Sequence, residues 1–172
     1  MKTRELENAI FRALRKMGTY LCFEVMMPHP AGRIGINNER VDLLSYDTKG
    51  TWRFYELKIS KSDFRSCNAN TFLGHLNYYV MPHELYEQVK DEIPPEIGVF
   101  VAADYGDRYT NGSIFCKCVK KAKRRVLGVD EEMLKFAFMQ ALSREHEKYR
   151  HLLAYNAGKE YEHERSSSTV SE

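Results

Sequence analysis

The sequence predicts an α/β fold, a mixed β-sheet flanked by helices with a long helix near its C-terminal end. Three observations predict it. An apolar stripe at helical spacing opens the chain and is followed by three stretches rich in β-branched and aromatic residues. Helix-like and strand-like segments then alternate, giving the order helix, three strands, helix, strand, helix, strand, the pattern of a sheet covered by helices. A long amphipathic stretch follows at Asp130 to Ala154.

The elements are justified in order. In Thr3 to Met17 the residues Leu6, Ile10, Ala13, Leu14 and Met17 keep a period near 3.6, with Thr3 as a candidate cap and Gly18 as the stop. Tyr20 to Met27 is a strand, and Glu24 in its middle reads first as a paired strand glutamate and otherwise as a further acid near the site. Pro28 to Asn38 holds two prolines and two glycines and is a loop. Arg40 to Tyr46 and Trp52 to Ile59 are strands around a polar turn, Asp47-Thr48-Lys49-Gly50. Lys61 to Leu73 is a helix that Ser60 or Ser62 can cap, and His75 to Met81 is a strand stopped by Pro82. Glu84 to Ile93 is a helix ended by Pro94-Pro95, and Ile97 to Ala103 is apolar throughout, as in a strand buried on both faces. A turn over 104–112 leads to a short strand, Ser113 to Val119. In the last helix Asp130 is the candidate cap, and Leu134, Phe138, Ala141 and Leu142 form the buried stripe. Tyr149, Leu152 and Leu153 resume it on a more charged second half. The division expected is a core over 1–127, a helix over 128–155 that packs on or projects from it, and a polar flexible tail over 156–172.

The central hairpin carries the chemistry. A turn centred near Lys49 sets Asp42 opposite Glu56 on one face, and the pleat puts Lys58 on that face too. Opposed carboxylates repel each other, and a divalent cation offsets that repulsion: hard carboxylate oxygens suit Mg²⁺ or Mn²⁺. A neighbouring ammonium can orient a water or stabilise charge on a phosphorane. Asp, then Glu-x-Lys, on a hairpin is thus a phosphodiester-cleaving constellation. Its bland counterpart is a solvated hairpin face; Glu56-Leu57-Lys58 stands out because it ends an apolar strand, where charge is unexpected.

Val41-Asp42 with Glu56-Leu57-Lys58 resembles the PD-(D/E)xK nuclease superfamily, whose fold is restriction-endonuclease-like. The run from Glu56 to Phe64, and Leu76-Asn77-Tyr78-Tyr79-Val80-Met81-Pro82, resemble the MmcB-like family of DNA-repair nucleases. The likeness covers about Glu7 to Ala103, with Val41 where the superfamily has Pro. It implies a metal site made by Asp42, Glu56 and the Leu57 carbonyl, with Lys58 positioning the attacking water. It also implies an acid from the first helix, Glu7 ahead of Glu5, and assigns Asp63 to a motif in which it orients Lys61 or caps the helix backbone, without making it a metal ligand.

Candidate nucleic-acid contacts are Arg33 and Arg40 around the first loop, and Lys61 and Arg65 on one helical face. Lys120, Lys121, Lys123, Arg124 and Arg125 belong to a run, Lys117 to Arg125, in which six of nine residues are basic. Such a run is otherwise the lysine guard of an edge strand.

Composition sets the outer limits. With 43% hydrophobic and 29% charged residues the chain is globular, and a net charge of +2 does not by itself announce nucleic acid. No apolar run is long enough for a membrane span and no signal pattern opens the chain, so the expectation is a cytoplasmic protein. Cys22, Cys67, Cys116 and Cys118 read as reduced thiols, and the scattered histidines give no zinc spacing. The expected function is a Mg²⁺- or Mn²⁺-dependent endonuclease or structure-specific nuclease acting on DNA in repair, restriction or phage-related processing. The alternative is a catalytically silent nucleic-acid-binding or protein-interaction module on the same fold. A homodimer, or a partner in repair or defence, is compatible with the chain and required by nothing in it.

Overall fold

The structure is a computed structural model that describes residues 1–27, 40–66, 72–104 and 114–168, with side chains as far as Asn156. Arg33, Cys67, the loop expected over 28–38 and all but the first residue of the turn expected over 104–112 lie outside these residues.

Six strands form one sheet in chain order: β1 (Thr19–Met26), β2 (Arg40–Asp47), β3 (Trp52–Leu57), β4 (Leu76–Pro82), β5 (Gly98–Asp104) and β6 (Ile114–Lys120). β1 to β3 are antiparallel, β3 to β5 are parallel, and β6 returns antiparallel to β5. The described helices are α1 (Thr3–Leu14), α2 (Lys61–Arg65), α3 (His83–Val89) and α4 (Glu131–Ser168). The fold is α/β, a mixed sheet with helices on both faces. No described helix is long and apolar enough to cross a membrane.

Packing follows the apolar stripes. Leu6, Ala9 and Ile10 of α1 cover one face, against Leu43, Tyr55, Tyr78, Val80 and Ala102. The first half of α4 covers the other, where Leu134, Ala137, Phe138 and Ala141 meet Cys22, Leu44, Trp52 and Phe54. Leu85 and Val89 of α3, with Ile93, pack on Tyr79, Met81, Val99 and Val101. Removing this much apolar surface from water is the dominant favourable contribution to the fold.

Local polar groups set the boundaries. The Asp47 carboxylate accepts from the Lys49 and Thr51 N–H groups at 2.9 and 3.1 Å, and Gly50 takes the left-handed φ of +74° that the turn needs. Ser60, not Ser62, caps α2 by accepting from Asp63 N at 3.1 Å, and Asp130 caps α4 by accepting from Met133 N at 2.9 Å.

Five expectations are corrected. α1 ends at Leu14, because Arg15 has an extended ψ of 106°; Ala13 and Met17, expected on its apolar stripe, are exposed, and Ala9 is buried instead. Thr3 does not cap α1; it is the first helical residue after Lys2, and the Glu5 carboxylate accepts from Lys2 N instead. α2 ends at Arg65, because Ser66 has an extended ψ of 123°. Leu142 is 38% exposed; the buried position that sequence assigned to it belongs to Ala137, one turn below Ala141. α4 continues to Ser168, into the stretch expected to be a flexible tail. Lys159, Glu160, Glu162, Glu164 and Arg165 there are good helix formers, and an established helix propagates through them more easily than a new one nucleates.

Between β6 and α4 the chain runs as an extended strap over 121–128, under the N-terminal ends of β5, β4 and β3. Its N–H groups at Lys123, Arg125 and Gly128 donate to the carbonyls of Glu96, His75 and Leu73 at 2.9, 2.9 and 2.8 Å. The Arg124 guanidinium reaches Thr51 Oγ1 at 3.2 Å, and Lys120 Nζ donates to Pro94 O at 2.7 Å.

Gly98 is where the strap and β4 approach β5 most tightly. A Cβ there overlaps the Tyr78 ring and comes within 2.6 Å of Ala122 N. Gly98→Ala is expected to destabilise the protein by about 1–3 kcal/mol, the usual cost of overpacking, read as a lower denaturant midpoint. An unchanged midpoint would show that the strap yields freely.

Candidate active site

The hairpin register sets Leu43 against Tyr55 and Leu44 against Phe54. Continued by one pair, it sets Asp42 against Glu56. Just beyond the ladder, the Asp42 carboxylate accepts from Leu57 N at 2.8 Å. Lys58 follows the end of β3, and its N–H donates to Val80 O at 2.9 Å, so the backbone stays tied to β4.

These residues open onto a cleft of about 770 Å³ at the C-terminal end of β3. Asp42, Glu56, Leu57, Lys58 and Asp63 line it from the hairpin side and α2. Thr3 and Glu7 line it from α1, and Glu24 and Arg40 from β1 and β2. The structure thus gathers Glu7, Arg40, Asp42, Glu56, Leu57 and Lys58, which the sequence analysis singled out.

Burial and charge define the cleft floor. Glu56 is 3% exposed and Lys58 5%, and a lysine is rarely that buried without a partner. Lys58 Nζ lies 3.8 Å from Asp63 Oδ1, while Asp63 Oδ2 accepts from Ile59 N at 3.1 Å. Asp63 therefore faces Lys58; sequence reasoning had paired it with Lys61 or the helix backbone. Burial pushes the Asp42 carboxyl above its ordinary value. The Leu57 N–H and the Lys58 and Arg40 charges pull it down, and Asp63 pushes it up. Burial, then the Glu56 charge, pushes the Tyr79 phenol up to about 12.

Glu24 has a backbone that its sequence does not announce. Its φ is +54°, in the left-handed region that favours glycine. The β1–β2 ladder has paired residues on both sides of it, Phe23 with Leu43 and Val25 with Val41. Phe23 and Leu43 face the α1 side, whereas Val25 and Val41, two residues on, face the α4 side. The ribbon turns over at Glu24 and Asp42, which brings both acids to the rim where the cleft opens. Arg144 of α4 holds the turned peptide by donating to Glu24 O at 2.8 Å, and Arg40 Nη1 lies 3.4 Å from Glu24 Oε1.

The remaining candidates lie elsewhere. Lys61 lines a smaller neighbouring hollow that shares Ile59 and Ser60 with the cleft. Arg65 is engaged by Glu92, at 3.0 and 2.7 Å, and does not line the cleft. Lys120, Lys121, Lys123, Arg124 and Arg125 sit at the other end of the sheet. The six-residue β3 separates them from the cleft by roughly 17 Å, at about 3.3 Å per residue.

Among the described residues no three His, Cys, Asp or Glu side chains converge to form a metal cage. Asp42 and Glu56, with the Leu57 carbonyl, form a smaller all-oxygen set. That set fits Mg²⁺, which commonly takes one or two carboxylates and completes its octahedron with waters and substrate phosphate.

No family model and no curated protein sequence matches the chain. Among solved structures it is similar to the SPO1766 protein of unknown function from Silicibacter pomeroyi. The two share 19% identity at a TM-score of 0.62, over 88% of this chain and 91% of that one. The fold is shared. At that identity the likeness carries nothing further.

Two stability experiments test this electrostatic and backbone picture. A carboxyl whose native value lies above the ordinary 3.8 makes the native state bind more protons, so stability falls as pH rises through that window. In EDTA, Asp42→Asn should melt above the parent at neutral pH. The gap should narrow as pH falls through the raised value and vanish below about 3.8. A variant that melts below the parent equally at every pH would refute a net desolvation penalty at Asp42.

Glu24→Gly should keep or raise the melting temperature, because glycine adopts this φ freely. Glu24→Val should lose about 1–2 kcal/mol, since a branched Cβ crowds the left-handed conformation. Equal losses in both variants would mean that the Arg40 contact, and not the backbone, dominates.

Proposed function

We propose that the protein is a metal-dependent nuclease that hydrolyses phosphodiester bonds in DNA. The observation that carries the reading is the meeting of Asp42, Glu56 and Lys58 in one cleft, with the last two buried. A surface hairpin has no reason to bury an acid and a lysine at its end. The PD-(D/E)xK resemblance supports the same roles, and DNA repair, restriction or phage-related processing is the setting it suggests.

Asp42 and Glu56, with the Leu57 carbonyl, hold Mg²⁺ or Mn²⁺. The bound cation supplies neutralisation of phosphate charge and a lowered pKa for water. Lys58 donates to the attacking water and fixes its line of approach, with Asp63 holding the ammonium. Arg40 at the rim takes a non-bridging phosphate oxygen, and Glu7 approaches from the α1 wall. Water attacks phosphorus in line, the bond to the 3′ oxygen breaks, and 5′-phosphate and 3′-hydroxyl ends form.

A second reading, a silent nucleic-acid-binding module, draws on two observations. Lys58 already faces Asp63, and the densest cations lie far from the cleft.

The deciding assay offers single-stranded, duplex and branched DNA with Mg²⁺ or Mn²⁺, with EDTA as control. The nuclease reading expects cutting that EDTA abolishes and that Lys58→Ala lowers at least about 100-fold, within the range for loss of a proton-handling group. Undiminished cutting by Lys58→Ala removes that lysine from the chemistry. Binding without cutting of any substrate favours the silent module.

A further inference from the structure

We infer that the strap is a second binding surface for a nucleic-acid backbone, independent of metal and separate from the cleft. Its role as a tether for the cleft's substrate rests on the nuclease reading; the binding itself does not. Ala122 turns inward against the Tyr78 cluster, while Lys121, Lys123, Arg124 and Arg125 are exposed. Among the described residues Lys121, Lys123 and Arg125 make no ion pair and no side-chain hydrogen bond. Their neighbours Lys120 and Arg124 are the ones spent on Pro94 and Thr51. The backbone beneath is fixed by the bonds from Lys123, Arg125 and Gly128, so little ordering remains to be done on binding.

Edge protection does not explain them. Lysines guard an edge where strand N–H and C=O groups are unpaired. That account fits Lys117 on β6, whereas Lys121, Lys123 and Arg125 lie beyond the strand, and two of them donate their N–H groups inward. A run of exposed cations that no carboxylate offsets among the described residues suits the phosphates of one strand. The exposed apolar neighbours, Val119 and Val126, offer no ring for a base to stack on, so the contact is to backbone and indifferent to sequence.

The test measures anisotropy of a fluorescein-labelled single-stranded oligodeoxynucleotide in EDTA over a series of NaCl concentrations. Lys121→Ala/Lys123→Ala/Arg125→Ala should bind at least about 10-fold more weakly. Its slope of log affinity against log salt should be shallower by about 2, as expected for three lost phosphate contacts on a single strand. Lys121→Arg/Lys123→Arg/Arg125→Lys should bind as the parent does. Parental affinity and slope in the alanine variant, or an equal loss in the charge-conserving variant, overturns the proposal. So does tighter binding of the parent to phosphatidylserine vesicles than to the oligonucleotide. Cleavage by the parent separates the two readings. If it cuts and the alanine variant binds normally, the strap proposal fails and the nuclease reading stands; if it binds through the strap and cuts nothing, the nuclease reading and the tether fail while the binding stands.

Discussion

Two opposite charges taken out of water at the end of β3 are the constraint on which this part of the protein depends. Glu56 and Lys58 are nearly inaccessible, and burying ions is costly unless partners are held in place. The neighbouring elements can be understood from that need. α2 is only five residues long, too short to be stable by itself. Its first turn carries Asp63 to Lys58 and to Ile59 N, and Ser60 caps that turn. The Lys58 N–H is tied to β4. Asp42 joins from the facing strand at its own cost, since burial raises its carboxyl despite the Leu57 N–H and the Lys58 charge. Such a site is under electrostatic tension as folded, and under the proposed function a hard cation held by Asp42 and Glu56 would relax it.

What the sequence reveals of this site depends on how local each relation is. In a hairpin the turn sets the register. The Asp47 turn and the spacing around Lys49 were therefore enough to oppose Asp42 and Glu56. The apolar stripes of α1 and of the first half of α4 were legible in outline, through Leu6, Ile10, Leu134, Phe138 and Ala141, and with them the α/β class; Ala13, Met17 and Leu142 proved exposed. The backbone of Glu24 was not legible. Its strand, Tyr20-Leu21-Cys22-Phe23-Glu24-Val25, has no glycine or asparagine to mark a left-handed residue, and the contact that holds it comes from Arg144, 120 residues away. Asp63 was placed correctly near the motif but given the wrong lysine. Helical spacing points to its neighbours on α2, whereas Lys58 lies outside the helix and meets it only because the chain folds back after β3.

The basic run shows a third kind of limit. Its density was plain in the sequence, but its position depends on the direction of one strand. β6 runs antiparallel to β5, so its last residues point away from the cleft and carry the strap to the opposite end of the sheet. A parallel β6 would have carried the same cations to the end of the sheet that holds the cleft.

The parallel trio β3, β4 and β5 therefore organises charge as well as packing. Glu7, Glu24, Asp42, Glu56 and Asp63 gather at the C-terminal end of β3, and Lys123, Arg124 and Arg125 are held at the N-terminal ends of the trio. A net charge of +2 is the residue of this separation and describes neither end. An acidic cleft by itself repels a polyanion and admits one only when its charge is balanced. A basic end attracts the same polyanion at any metal concentration, with a reach set by the Debye length, about 8 Å at physiological salt. At roughly 17 Å along β3 the two fields scarcely overlap, so each can act on a different stretch of the same strand. Under the proposed nuclease reading, capture and chemistry would then be tuned apart, one by salt and the other by the cation.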